Sequence, residues 1–376
     1  METKNNTQVY KLGLLFSCIL LIALWLPAFA YGSDTTGAFQ NGTEGMELGL
    51  TLDSAVNQAL AHSTDLVLSD YDIERNEEMR QAAADKVKYT PTDGSSSGEA
   101  TSAFLGLVQS DLTLQMSKKT KTIKKDILVK SVYEKYTNVL IAKEKVTVAE
   151  KALAQADFQR LAARISFQLQ KVSLNSKIEA EANYLTKEAA LGESRANLED
   201  SYLKLNNLIG LNPQDRPVLT DEPAFVPLII DNLEAEVQRR LEIDPSLWLS
   251  DKDVEKAKLD LTLYNWGSSQ PYRTKVIDLD KAEINAGNDK DNASQAIYNT
   301  YKSICQSEEQ YKIKQQDLQL SEQSLQVNQL KYRLGMVAKG VVLTAESQVA
   351  STRLALKSAA YQHEILKMSF DKPWTA

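Results

Sequence analysis

The sequence predicts an all-α fold: two tandem repeats of long antiparallel coiled-coil helices, with little or no β-barrel. Three observations carry this reading. Ile297, Ile304, Tyr311, Leu318, Leu325 and Tyr332 recur every seven residues, the spacing of a seam that faces a partner helix in a coiled coil. A second seven-residue series, Ile313, Leu320, Val327 and Leu334, runs two positions behind the first. Two residues turn about 200° around a helix axis, so the stripes lie nearly opposite and the helix requires neighbours on both flanks. Third, the design occurs twice. Val132, Val139, Val146, Leu153 and Phe167 stand 165 positions before Ile297, Ile304, Tyr311, Leu318 and Tyr332, while Val148 and Leu169 stand 165 before Ile313 and Leu334. Arg160 is the one break in the earlier stripe. Few letters are shared, so shared register is the evidence for an internal duplication.

At 376 residues the chain is long enough for two repeats, and its net charge of -7 gives no support to a nucleic-acid partner, which would need a clustered basic surface. The only basic run, Lys118, Lys119, Lys121, Lys124 and Lys125, reads as a solvated helix face. Lys4 and Lys11, the apolar run Leu12 to Leu26 and then Pro27-Ala28-Phe29-Ala30 read as a secretory signal over 1–30, cut after Ala30. A flexible Gly/Thr-rich leader follows over 31–47. With the signal removed Cys305 is the only cysteine, so no intrachain disulfide is available.

The first repeat spans 48–212. Leu50-Thr51-Leu52-Asp53-Ser54-Ala55 opens a helix with Thr51 or Asp53 as N-cap, and Val56, Leu60, Leu66 and Ile73 carry it toward Lys88. Val237, Leu241, Leu247 and Val254 answer each of these 181 positions later, opening the second repeat over 231–376. The two offsets differ because the connectors differ in length, which belongs in loops. Those connectors are the breaker-rich Tyr89–Ser102 and Trp266–Pro271, the latter followed by a weakly helical stretch to Asp291 that includes Gly287-Asn288-Asp289. Neither contains a pair of alternating strands of about ten residues, the minimum for a membrane-spanning β-hairpin. Long helices then run from about Leu112 to Gln170 and from about Asn292 to Leu334, returning as Ser176 to Leu208 and Val341 to Phe370. Gly210 with Pro213 stops the first return, and the Pro-rich linker 213–230 joins the repeats, with Phe225 to Ile230 apolar enough to tuck against a neighbour.

These phrases, in this order, resemble the TolC family of outer-membrane efflux proteins. The opening Leu50-Thr51-Leu52-Asp53-Ser54-Ala55, then Ala59-Leu60 and Thr64-Asp65-Leu66, with the echo Asp244-Pro245-Ser246-Leu247, match the family's opening helix. Tyr332-Arg333-Leu334-Gly335-Met336-Val337-Ala338 matches its aromatic-x-x-Gly helix end, and Phe167-Gln168-Leu169-Gln170-Lys171-Val172-Ser173 does so with Gln170 in place of Gly. Leu205-Asn206-Asn207-Leu208-Ile209-Gly210 closes the repeat in the family's manner. The resemblance implies a homotrimeric helical tunnel of the cell envelope, in the outer membrane by family and working with a periplasmic-type adaptor and an inner-membrane pump. It implies that the adaptor docks on the tips Gln170, Lys171, Val172, Ser173, Gly335, Met336, Val337 and Ala338, with Gly335 permitting close backbone approach and Met336 and Val337 forming an apolar knob; from the residues alone this is a plain helix-helix turn with glycine as its C-cap. The missing strands imply an extracytoplasmic or N-terminally anchored variant. Val341 and Thr344 stand where the family often carries aspartates at the tunnel entrance, so a charged constriction is not expected. A degenerate relative that serves as an extracellular coiled-coil scaffold is the alternative.

No enzyme is expected. His62 and His363 lack partners at metal-ligand spacing, and neither Glu179 with Glu181 nor Glu308 with Glu309 reads as an acid/base pair. Neither a P-loop nor a dinucleotide fingerprint is present. No cofactor or metal is implied.

Overall fold

The computed structural model describes residues 49–89, 98–264 and 270–375, so the signal and leader read from the sequence lie outside the described residues. In chain order the elements are β1 (Gly49–Leu50), α1 (Leu52–His62), α2 (Thr64–Ala84), α3 (Gly98–Gln168), α4 (Leu174–Ile209), β2 (Val218–Leu219), α5 (Leu233–Ile243), α6 (Pro245–Thr262), α7 (Tyr272–Arg333) and α8 (Lys339–Asp371), closed by a 3-10 turn at Pro373–Thr375. Among the described residues the β structure is one parallel pairing, with Leu50 opposite Leu219. No described helix is long and apolar enough to cross a membrane.

Each opening helix is two helices rather than one. Ser63 and Asp244 adopt extended backbone between α1 and α2 and between α5 and α6. The side chain of each then caps the helix that follows. Ser63 Oγ accepts from Leu66 N at 3.3 Å, and Asp244 Oδ1 accepts from Ser246 N at 2.7 Å. Pro245 in the first turn of α6 reinforces that break. Thr51 is the N-cap of α1, its Oγ1 accepting from Ser54 N at 3.1 Å.

The long helices begin earlier than their heptads suggest. Gly98 to Ser102, read as connector, is the start of α3, and Tyr272 to Asp291 is unbroken helix in α7. A glycine inside a helix costs only about 1 kcal/mol, so Gly287 does not stop α7 where packing on α6 supports it. Lys258 pairs with Glu283 at 3.0 Å and Ser250 Oγ donates to Asp289 Oδ2 at 2.5 Å. What remains of the connectors, 90–97 and 265–269, lies outside the described residues.

The helices form one layer. α3 packs between α4 and α8, and α7 packs on the far side of α8, giving the order α4, α3, α8, α7. Toward the other end α2 lies along α3 and α6 along α7, with α3 and α6 in contact, giving α2, α3, α6, α7. Two apolar clusters fix this layer where the short elements meet the long ones. Leu50, Ala55, Ala59, Val132, Tyr136, Val139, Leu205 and Tyr361 form the first, and Val237, Leu241, Ile297, Ile304 and Phe370 the second. In the first, the buried Tyr136 hydroxyl donates to Leu50 O at 2.9 Å and accepts from Asp221 N at 3.0 Å, tying β1 to the linker. Burial pushes the Tyr361 phenol up to about 12.

The linker is fastened rather than free. Phe225 stacks on Tyr311 with ring centroids 3.8 Å apart, and Glu308 Oε1 accepts from Leu228 N at 2.8 Å while lying 3.2 Å from His363 Nε2. Near the second cluster Arg240, only 3% exposed, clasps the end of α8. Its Nε donates to Phe370 O at 2.6 Å, one terminal nitrogen reaches Asp371 at 2.7 Å, another binds Glu236, and the guanidinium lies over the Phe370 ring. Hydrogen bonds from Arg239 and Arg240 hold the Glu236 carboxyl down at about 2, against an ordinary 4.5. A depressed carboxylate contributes stability that is fully present above its unfolded value and is lost as pH falls through the folded one. The advantage of the protein over Glu236→Gln in thermal melts is therefore expected to be constant above pH 4.5 and to shrink steadily between there and pH 2.

Candidate functional site

The two hairpin tips are built alike. α3 ends with Gln170 N donating to Phe167 O and Lys171 N to Ser166 O, both at 2.9 Å; α7 ends with Gly335 N donating to Tyr332 O at 2.9 Å and Met336 N to Lys331 O at 2.8 Å. This is the paired closure of a helix C-terminus that requires a left-handed residue, and Gln170 at φ 57 and Gly335 at φ 71 supply it. Glycine meets that requirement without strain, whereas a side chain there costs roughly 1–2 kcal/mol. Gln170→Gly is expected to raise the melting temperature by a few degrees in differential scanning calorimetry, without altering the tip.

Of the sequence-predicted tip residues, Gln170, Lys171, Val172, Ser173, Gly335, Met336 and Ala338 are exposed and Val337 is half-buried. The apolar knob is therefore Met336, 69% exposed, with Leu334 at 66%, rather than Met336 with Val337. Ser173 caps α4 by accepting from Ser176 N at 3.2 Å. Among the described residues nothing lies within 4 Å of where a Gly335 side chain would begin, and its φ is what the turn itself requires of this glycine. The close approach is made by Gly340, whose added methyl would sit 2.8 Å from the Phe158 ring of α3. That contact, Gln155 Nε2 donating to Thr344 Oγ1 at 3.0 Å, and Lys151 with Glu346 at 3.1 Å, join the two hairpins just above the tips. Phe158 stands ten residues, ~15 Å of helix, before the end of α3, whereas Gly340 is the second residue of α8. The first tip reaches past the second.

The opposed stripes separate along α7 until the tip, where Tyr332 of the first is itself 45% exposed. Ile297 and Ile304 are buried and Leu318 and Leu325 half-buried, on the flank of α7 that faces its own chain. Ile313, Leu320, Val327 and Leu334, between 47% and 69% exposed, line the other flank, and among the described residues no other helix packs there. Val148, the counterpart of Ile313, is half-buried because α3 lies inside the layer while α7 is its edge. The opposite edge, made by α4 and α2, likewise exposes Leu174, Ile178, Leu185 and Leu203, and Leu68, Tyr71 and Met79. Contacts across the layer give relative heights: Asn183 Nδ2 donates to Gln159, Phe158 meets Gly340, and Ser321 bonds Thr352 at 2.8 Å. Counting equal steps from these links puts Leu203 of α4 level with Ile313 of α7.

The remaining sequence candidates are structural. The His62 ring packs on Gly210, which at φ 78 ends α4, and His363 sits in the linker contact. Among the described residues no three metal-binding side chains converge.

No protein-family profile matches the sequence, and no curated protein matches it either. Solved structures do. The chain superposes on the outer-membrane channel OprN with TM-score 0.66 at 14% identity, over 86% of this chain and 91% of that one. It superposes on the Campylobacter jejuni CmeC outer-membrane channel with TM-score 0.66 at 13% identity, over 94% and 93%. The open state of the Neisseria gonorrhoeae MtrE channel gives TM-score 0.59 at 17% identity, over 94% and 98%. The fold of this chain is that of a TolC-like channel protomer, almost entirely helical among its described residues.

Proposed function

We propose that the chain is an exported helical tunnel component of a tripartite-type efflux or secretion system, a conduit and not an enzyme. The observation that supports it most is the apolar row left bare along α7. Contiguous exposed apolar surface marks a partner site, and this row has the seven-residue spacing of a helix seam. The two edges of the layer are different helices, so copies join head to tail, and such contacts close into a ring when the rotation allows. A homotrimer enclosing a tunnel follows from the likeness to TolC-type channels, with the repeats at 48–212 and 231–376 joined by the linker 213–230. A periplasmic-type adaptor docks on Gln170 to Ser173 and on Gly335 to Ala338 and links the tunnel to an inner-membrane pump. The export signal read over 1–30 supports a place in the cell envelope, and the lack of alternating strands in the connector sequences favours its being held there by its N-terminus or by partners.

Gly335→Asp combined with Met336→Asp tests the docking tip. The assembly is expected to persist while crosslinking to the adaptor and transport fall by roughly tenfold or more, the loss expected for a few kcal/mol of contact energy. Transport and adaptor recovery at the original level would refute tip docking. A chain that remains a single copy in solution would leave the non-transporting scaffold as the better reading.

A further inference from the structure

The duplication lets each half report on the other. Along α2 and α3 five polar links hold the helices together: Arg80 with Asp111 at 2.5 Å, Asn76 Nδ2 donating to Ser117 Oγ at 2.6 Å, Lys118 with Glu77 at 2.9 Å, Lys124 Nζ donating to Ser69 at 3.0 Å, and Lys121 with Asp70. The repeat offsets carry Lys118 with Glu77 onto Glu283 with Lys258, and Lys124 with Ser69 onto Asp289 with Ser250, and both links are present between α6 and α7 with the charge reversed or exchanged. The other three have no counterpart: Arg80 with Asp111 maps to Leu261 with Val276, Asn76 with Ser117 maps to Ala257 with Ala282, and only the pair of Lys121 with Asp70 leaves a charge behind. Asp70 maps to Asp251, but Lys121 maps to Ala286, and Asp251 makes no ion pair among the described residues.

Where that lysine is missing a cavity of about 510 Å³ opens between α5, α6 and α7. Asp251 and Ala286 line it, together with Glu242, Asp244, Trp248 and Lys290. Asp244 is buried, with one oxygen committed to the cap of α6, and its carboxyl is raised by desolvation. Glu242 makes no ion pair among the described residues, and Trp248 supplies an apolar wall whose ring is already flanked by Lys119 and Lys252. Asp251, Glu242 and Asp244 thus share this space with the Lys290 ammonium, and in the first repeat the position of Ala286 carries the lysine that pairs with the counterpart of Asp251.

We propose that this cavity binds an organic cation, whose ammonium group docks on Asp251 as Lys121 docks on Asp70, with its aliphatic chain along Trp248. A flexible alkylammonium has the chemistry of the missing side chain, and a second positive group reaches Glu242. The occupant braces α6 against α7 on the face of the layer, away from the edge that carries Ile313.

The test uses the assembled protein and spermidine as probe, titrated calorimetrically at physiological salt so that loose surface attraction is screened. Saturable binding below about 1 mM is expected, with no heat from the uncharged 1,8-octanediol. Asp251→Asn is expected to weaken binding by roughly tenfold, the scale of one charge-assisted contact. Ala286→Lys supplies the cation internally; it is expected to abolish binding and to raise the melting temperature, an outcome that damage to the fold would not produce. Absence of saturable binding, or wild-type affinity in Asp251→Asn, overturns the proposal, as does wild-type affinity in a folded Ala286→Lys.

Discussion

Replacing Ile313, Leu320, Val327 and Leu334 together by serine is expected to yield a folded, soluble single copy in place of the assembly. All four are exposed in the isolated chain, so their loss removes little from its own core. In the ring each would be covered by the neighbouring copy's α4 edge. Burying a side chain of this size contributes about 1.5–3 kcal/mol, so four per interface represent on the order of 6–12 kcal/mol. Ordering costs consume part of that, yet every 1.4 kcal/mol lost is about tenfold in association. Light scattering should show one copy, and circular dichroism should show helix content unchanged. An assembly of unaltered size would mean that the copies meet elsewhere.

Arg240→Ala is the substitution expected to cost most within one copy. Arg240 closes α5 onto the end of α8 through Phe370 O, Asp371 and Glu236 and by stacking on the Phe370 ring. Removing one partner of a buried, hydrogen-bonded ion cluster costs about 3–5 kcal/mol, because the remaining groups are left without compensation. A drop in melting temperature of roughly 10 °C is expected, with protease cleavage appearing first near the end of α8. Arg240→Lys should recover little, since a single ammonium cannot reach three acceptors and cover a ring at once. A melting temperature within a degree or two of the original would show that the clasp is incidental.

Ile297 to Tyr332 made the long second helix visible because its apolar residues keep a strict seven-residue period, and the offset copy at Val132 to Phe167 revealed the duplication. The part of α7 before Asn292 lacks that period, and its support comes from polar links to α6 that no apolar pattern announces. Gly98 to Ser102 were concealed by their own composition, since serine and glycine mark loops until a helix is nucleated beyond them. Ser63 and Asp244 could have been read as breaks, because a cap residue before an acidic or proline-led turn is a start signal. At the tips the sequence located the turns and offered Gly335 as a C-cap, but it gave no sign of Gly340. Gly335 is required for its backbone angle, while the close packing belongs to Gly340, a contact with Phe158 that is 182 residues distant and has no local signature.

That the bare edge of α7 meets the α4 edge of another copy is tested most directly by joining them. Leu203 and Ile313 lie at one height, and rotational closure keeps heights equal between copies. With both changed to cysteine and Cys305 to serine, mild oxidation is expected to give disulfide-linked species of two and three copies and none larger, with neither single-cysteine chain forming the ladder. Chains that stay unlinked, while light scattering reports one copy in solution, would contradict the tunnel.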